Sequence, residues 1–291
     1  MVNKIAPKQT KTALAKELGI SRASLYYKPK LPEKDEKLKA EIEQVMNKHQ
    51  AYGHRRVADE LNINHKRTNR VMNKFNLKPK KRRKTPSKPD DLGQRSINIP
   101  NLIKGLAISK PHQVWATDFT YLWCPFLNKY IYLATIIDVF TRQIVGWHLA
   151  LNHKTDLIVK ALLNALSKYS RPLIHHSDMG SEYRSQQYQN LLKSLNILIS
   201  MSKKASPWQN GYQESFYSNF KLELDDLNNF SNLGEILELI AKQIHYYNNY
   251  RIHSALKCSP AVFAKKYMIH SIIKMKNNLI ESQIDFVRQV V

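Results

Sequence analysis

The sequence predicts an α/β protein: a mixed five-stranded sheet with helices, preceded by a small all-α region. Three observations carry this. From Pro111 onward, runs of β-branched and aromatic residues alternate with helical stretches in the order β-β-β-α-β-α-β-α. Ahead of them, apolar residues recur at helical spacing around short turns. Between the two parts, Lys78–Pro89 (KPKKRRKTPSKP) holds seven basic residues and three prolines in twelve positions, a composition that builds no core and reads as an extended linker. The full 291 residues suffice for one sizeable core and a small accessory domain.

In the front part, Leu14 and Leu18 share a helix face, Gly19 suits a helix stop, and Ser21 suits the next N-cap. This is helix-turn-helix rhythm, with a second helix from Arg22 to about Lys28 able to enter a major groove. A polar helix follows from Glu33 to about Gln50. A second helical pair then places Val57 and Leu61 inside, turns at Asn62–Asn64, and sets Val71, Met72 and Phe75 on one face of its last helix. Lys66, Arg67 and Arg70 fall largely on the other face, where phosphate contacts need cations. Residues 1–30 and 31–78 are thus two helix-turn-helix-like segments, 79–110 a basic linker, 111–270 the α/β core and 271–291 a C-terminal tail.

In the core, strands are expected at Val114–Trp123, Tyr130–Val139 and Ile144–Leu149. A helix follows from Thr155 or Asp156 to about Tyr169, and a strand at Leu173–His176. A helix from about Ser185 to Leu195, a strand at Ile197–Met201 and a helix carrying Glu214 complete the series.

Charge narrows the partner. Residues 1–90 hold 24 Lys/Arg against 9 Asp/Glu, a net of +15, leaving +8 of the chain's +23 for the other 201 residues. Such an excess favours a polyanion, above all nucleic acid, gripped by the front third. Lys81, Arg82 and Arg83 in the linker can track a DNA backbone. Two distant cysteines, Cys124 and Cys258, exclude a disulfide framework and a Cys-rich zinc site. The N-terminus lacks the apolar stretch of a secretory signal, and the best apolar run, Tyr130–Ile137, is too short to span a bilayer. The expectation is a cytoplasmic protein, and the excess of lysine over arginine (33 to 13) points to an A/T-rich bacterial host.

Three segments carry the chemistry: WATDFTYL around Asp118, HHSDMGSEY around Asp178 and NGYQESFYSNFK around Glu214. Asp118 lies on the first strand, Asp178 just past the fourth, and Glu214 on the helix after the fifth. With the first and fourth strands as neighbours, a helix across the sheet brings in the glutamate. Three converging carboxylates repel one another, and hard divalent cations remove that conflict. Oxygen-only ligands suit Mg²⁺ or Mn²⁺ rather than zinc. Two such ions about 3.5–4 Å apart serve in-line phosphoryl displacement without a covalent protein intermediate. Asp138 is either a fourth acid near the site or the partner of Arg142. One of His175 and His176 is expected to face the core. Trp208 and Asn210, just before the catalytic helix, can touch DNA from a loop. Arg251 and His253 can do likewise, while Tyr246, Tyr247 and Tyr250 look like packing.

These segments, with YLATIIDVFTRQIVGW, MSKKASPWQNGYQESFYSNFKLE and YYNNYRIHSALKCSPAVF, resemble the insertion-sequence-three family of transposases, specifically the second-reading-frame (OrfB) product, within the retroviral integrase superfamily. Thirty-five residues separate Asp178 from Glu214, the spacing that gives the family its D,D-35-E name, and Lys221 follows Glu214 by seven. The resemblance covers about residues 53–78 and 111–265. It implies a ribonuclease H-like integrase catalytic core, with Asp118, Asp178 and Glu214 binding two catalytic Mg²⁺ or Mn²⁺ ions and Lys221 approaching DNA. It also implies cleavage at transposon ends, strand transfer into target DNA, assembly as a homo-oligomer on DNA at the bacterial nucleoid, and a first-frame (OrfA) partner or fusion. Seven residues are nearly two helical turns, so Lys221 shares a face with Glu214 about 10 Å along the axis. No C-x-x-C is present, so the zinc module of retroviral integrases has no counterpart here. A DNA-binding regulator that keeps the fold without the chemistry is the alternative, and the presence of all three acids argues against it. A nuclease of ribonuclease H or resolvase type is a third, argued against by the helix-turn-helix segments.

Overall fold

In the computed structural model, residues 11–19, 21, 31–80, 99–202 and 210–290 are described, so the expected helix at 22–28, most of the basic linker and Trp208 lie outside them. The chain divides into two compact units. One comprises residues 1–48 and 53–78, the other residues 49–52 and 79–291.

The first unit holds α1 (Lys11–Glu17), α2 (Leu31–Lys48), α3 (His54–Leu61) and α4 (His65–Lys74). The α3–α4 turn follows its sequence: Asn62 takes the left-handed conformation at φ 51°, and the Asn64 side chain caps α4 by accepting from Lys66 N. Val57, Ala58, Val71 and Met72 are buried between the helices. Asp35 of α2 is buried and accepts from both Arg70 (2.8 Å) and Lys74 (2.9 Å) of α4. Those two cations hold its carboxyl far below the usual carboxylate range.

The second unit is built on β1 (Val114–Cys124), β2 (Lys129–Asp138), β3 (Ile144–Ala150), β4 (Ile174–Ser177) and β5 (Leu198–Met201), in the order β3-β2-β1-β4-β5. β1–β2 and β2–β3 are antiparallel, while β1–β4 and β4–β5 are parallel. This is the mixed sheet the alternation predicts, in the ribonuclease H-like order that the resemblance implies. Because side chains alternate along β1, its two faces belong to different cores. Val114, Ala116, Leu122 and Cys124 pack in a cluster with residues of α7 (Gly211–Glu223) and α8 (Leu233–Asn249). Trp115 packs in the cluster of α5 (Thr155–Leu166) and α6 (Gln186–Ser194) on the opposite face. Gly146 lets β3 lie against α5: a Cβ there would stand 2.5 Å from Ala161 O. On the other face, the Asn248 amide of α8 is hydrogen-bonded to both N and O of Ile144 at 2.9 Å.

Two segments differ from expectation. Residues 99–110, assigned to the linker, are packed on the core: Ile99 joins one cluster, Ile103 and Ile108 the other, and Leu102 N donates to Ser200 Oγ. The residues assigned to a tail continue α9, a single helix from Pro260 to Val290. Among the described residues, no helix is long and apolar enough to cross a membrane.

Candidate active site

The β1–β4 ladder brings two acids together. Its last pair is Ala116↔His176; Asp118 stands two residues further along β1, and Asp178 two residues further along the chain, just past the end of β4. Asp118 Oδ1 accepts from Phe119 N (2.8 Å) and Asp178 Oδ1 from Gly180 N (3.0 Å). Gly180 packs closely there: a Cβ would come within 3.1 Å of Asp178 Oδ1 and 3.2 Å of Glu182 Oε2, so a larger residue would press on both carboxylates.

Electrostatics ties the three segments into one neighbourhood. Burial first, then the charge of Asp178, pushes the Asp118 carboxyl well above its ordinary range; Glu214 adds to this and Lys221 opposes it. Asp178 is also raised, by burial and by Glu182, against the Gly180 N–H and Arg184. Lys221 is lowered by burial while Asp118 holds it up. Glu214 is exposed on α7. Among the described residues, no group of three or more His, Cys, Asp or Glu is gathered tightly enough to hold a metal ion. The donors nonetheless fit hard divalent cations: they are carboxylate oxygens, and two carry repulsion that a cation would relieve.

α7 is moored to β1 through main-chain oxygens. Asn210 Nδ2 donates to Thr117 O (3.1 Å), Gln213 Nε2 to Ala116 O (2.7 Å), and Tyr217 Oη to Asp118 O (2.6 Å). Thr135 Oγ1 lies 2.9 Å from both Gln213 Oε1 and Tyr217 Oη, tying β2 into the same network. At the far end of α7, Glu223 receives Arg251 Nε at 2.8 Å. Gln213 and Tyr217 escaped the sequence reading because they sit inside the Glu214 motif as unremarkable polar and aromatic residues. Their only signal is spacing: 213 and 217 are four apart on the face turned to the sheet. Tyr217→Phe should cost about 1–2 kcal/mol in urea unfolding. It should also slow strand transfer about tenfold with DNA affinity unchanged, because the helix carrying the acid is loosened.

The remaining expectations sort as follows. Asn210 is turned inward and buried, so it braces α7 rather than reaching out from a loop. Arg251, expected to touch DNA, is fully buried on Glu223. Arg70 is committed to Asp35, whereas Lys66 and Arg67 are exposed on α4. Asp138 is neither a fourth acid nor the partner of the Arg142 guanidinium. It is fully buried and accepts from His112 N, Thr141 N and Thr141 Oγ1, and the Arg142 guanidinium stacks on Tyr212 at 4.2 Å. Both His175 and His176 are buried, bonded to Tyr188 and Ser200, and burial holds His175 near pKa 3. Tyr247 packs as expected, while Tyr250 is exposed. Arg22, Lys81, Arg82, Arg83 and Trp208 lie outside the described residues. A further acid, Glu182, was not singled out in the sequence; it is nearly buried, receives Ser181 Oγ and meets His153 Nδ1 at 2.7 Å.

With Asp118 inside β1, Asp178 just past the end of the neighbouring parallel strand β4 and Glu214 on a helix moored to β1, the chain is an integrase-core enzyme, a DDE-type polynucleotidyl transferase. The family described as Integrase core domain matches residues 108–207, and a second of the same description matches 195–260. The family is divalent-metal dependent. The transposase for insertion sequence element IS904 of Lactococcus lactis subsp. lactis is 39% identical over 175 residues, 58% of this chain and 68% of that protein. InsK of Escherichia coli K12, named as a transposase for insertion sequence element IS150, is 31% identical over 84% of this chain and 89% of its own length. The Escherichia coli transposase InsF for insertion sequence IS3A is 32% identical over 70% and 73%. The chain belongs to the insertion-sequence-three family of transposases.

Proposed function

We propose that Asp118, Asp178 and Glu214 together hold two Mg²⁺ or Mn²⁺ ions, and that the chain cuts transposon ends and joins them to target DNA there. The observation that carries this reading is the equivalent position of Asp118 and Asp178 beyond the β1–β4 ladder, with Glu214 on the helix moored to β1. When bound, the cations lower the pKa of an attacking water or 3′-hydroxyl and neutralise charge on the leaving oxygen. In the first step water adds to phosphorus and the P–O3′ bond breaks, freeing a 3′-hydroxyl. In the second, that hydroxyl adds to a target phosphorus and another P–O3′ bond breaks, so phosphodiester bonds are exchanged without an external energy source. Lys221 grips a phosphate beside the acids. The Phe119 and Gly180 N–H groups orient the two aspartates.

The front helices bind DNA, the protein works as a homo-oligomer on it at the bacterial nucleoid, and a first-frame partner adds end recognition. Lys66 and Arg67 contact phosphates, with Arg22, Lys81, Arg82, Arg83 and Trp208 as further contacts. Replacing both Lys66 and Arg67 by Ala should weaken duplex binding and flatten the log K against log salt slope by about 2. Arg70→Ala should instead lower the stability of the helical unit, because it strips Asp35 of its bidentate partner. Equal slopes for the double variant and the wild type would remove this α4 face from the interface. The catalytic reading is tested by strand transfer on duplexes carrying the element's own ends, with Mg²⁺, with Mn²⁺ and with EDTA. Joined product should require both the metal and all three acids.

A further inference from the structure

The β1–β2 hairpin carries three large rings into solvent. Tyr121, Trp123 and Tyr130 are 40%, 46% and 47% exposed. They are contiguous: Tyr130 meets Tyr121 at 5.2 Å and Trp123 at 5.1 Å between centroids, both edge to face. Register explains the cluster, since Trp123 lies opposite Tyr130 and Tyr121 opposite Tyr132. Scattered exposed aromatics need no explanation, but a joined group of them marks a binding surface. This group ends at the proposed active site. Lys221 Nζ stands 4.9 Å from the Tyr121 ring centroid and lies in the field of Asp118.

The surroundings select the occupant. No acidic residue occurs between Tyr121 and Tyr132, Lys129 is exposed on the same hairpin, and the whole chain carries +23. A ligand that offers flat π faces and negative charge together is a nucleic acid with unstacked bases. Paired bases inside a duplex hide those faces, so the surface suits bases opened at a duplex end.

We propose that Tyr121, Trp123 and Tyr130 form a stacking shelf for unpaired bases of the DNA end whose phosphate lies at Asp118 and Lys221. This rests on the DNA-cutting reading above.

The test uses the full chain in EDTA with two fluorescein-labelled 30-base-pair duplexes, one blunt and one carrying four unpaired thymidines at one end. The wild type should bind the frayed duplex about tenfold more tightly, the size of one base–aromatic stack. Trp123→Ala and Tyr130→Ala should lose that preference while keeping blunt-duplex affinity and the wild-type urea midpoint. Trp123→Phe should retain most of it. Equal binding of the two duplexes by the wild type, or an undiminished preference in both alanine variants, overturns the shelf while the DNA reading stands. A smaller particle by light scattering for Trp123→Ala than for the wild type would assign the hairpin to self-association, which also overturns it. Failure of the wild type to bind either duplex sinks the DNA reading and the shelf with it.

Discussion

Asp118→Asn, Asp178→Asn and Glu214→Gln should each reduce strand transfer at least about 10³-fold, roughly 4 kcal/mol of lost transition-state stabilisation. The amide keeps the size of each side chain and removes the negative charge, so the loss reads out cation binding rather than packing. Groups that act as one unit are not additive, and pairs of these substitutions should be little worse than singles. Duplex binding should stay equal or tighten, because a negative charge leaves the neighbourhood of a polyanion. Single-turnover joining of a labelled end measures the chemistry, and anisotropy measures binding. Full activity in any one variant removes that residue from the set.

The second large effect runs against intuition: in EDTA, Asp118→Asn should be more stable than the wild type at pH 7–8. Burial and then Asp178 raise the folded-state pKa of Asp118. The fold therefore holds this proton more tightly than the unfolded chain, whose carboxyl titrates at about 4. Its favourable contribution is complete below that value and is lost as pH rises through the folded pKa. Asparagine cannot ionise, so the variant escapes the loss. The gain should appear in urea unfolding at pH 7–8, shrink as the pH falls and vanish below about pH 4. Mg²⁺ should reverse the order, adding about 2.7 kcal/mol to the wild type at a hundred times Kd and little to the variant. A variant less stable than the wild type at pH 8 in EDTA would show that the acid is not strained by its surroundings.

The sheet was legible, and so was the spacing of the proposed acids, because both depend on local signals. Alternation fixed β1, β2 and β3 to within a residue or two, and the 35-residue interval between Asp178 and Glu214 is visible in one dimension. Ties between distant residues were not. Arg70 looks like a phosphate contact until Asp35 is found 35 residues away, and Arg251 looks free until Glu223 meets it across 28. Asn210 sits at the boundary of a polar stretch, and only the fold reveals which way its amide faces. Residues 271–290 were read as a tail from position alone, whereas helical periodicity carries α9 through them.

The mooring of α7 has a bearing on engineering. Its acceptors are the main-chain oxygens of Ala116, Thr117 and Asp118, which every amino acid supplies. A combinatorial library that varies the solvent-facing side chains of β1 should therefore leave the glutamate-bearing helix where it is. A library that varies positions 213 and 217 instead should yield mostly inert or destabilised proteins, because both side chains are buried and supply the donors that set the helix down.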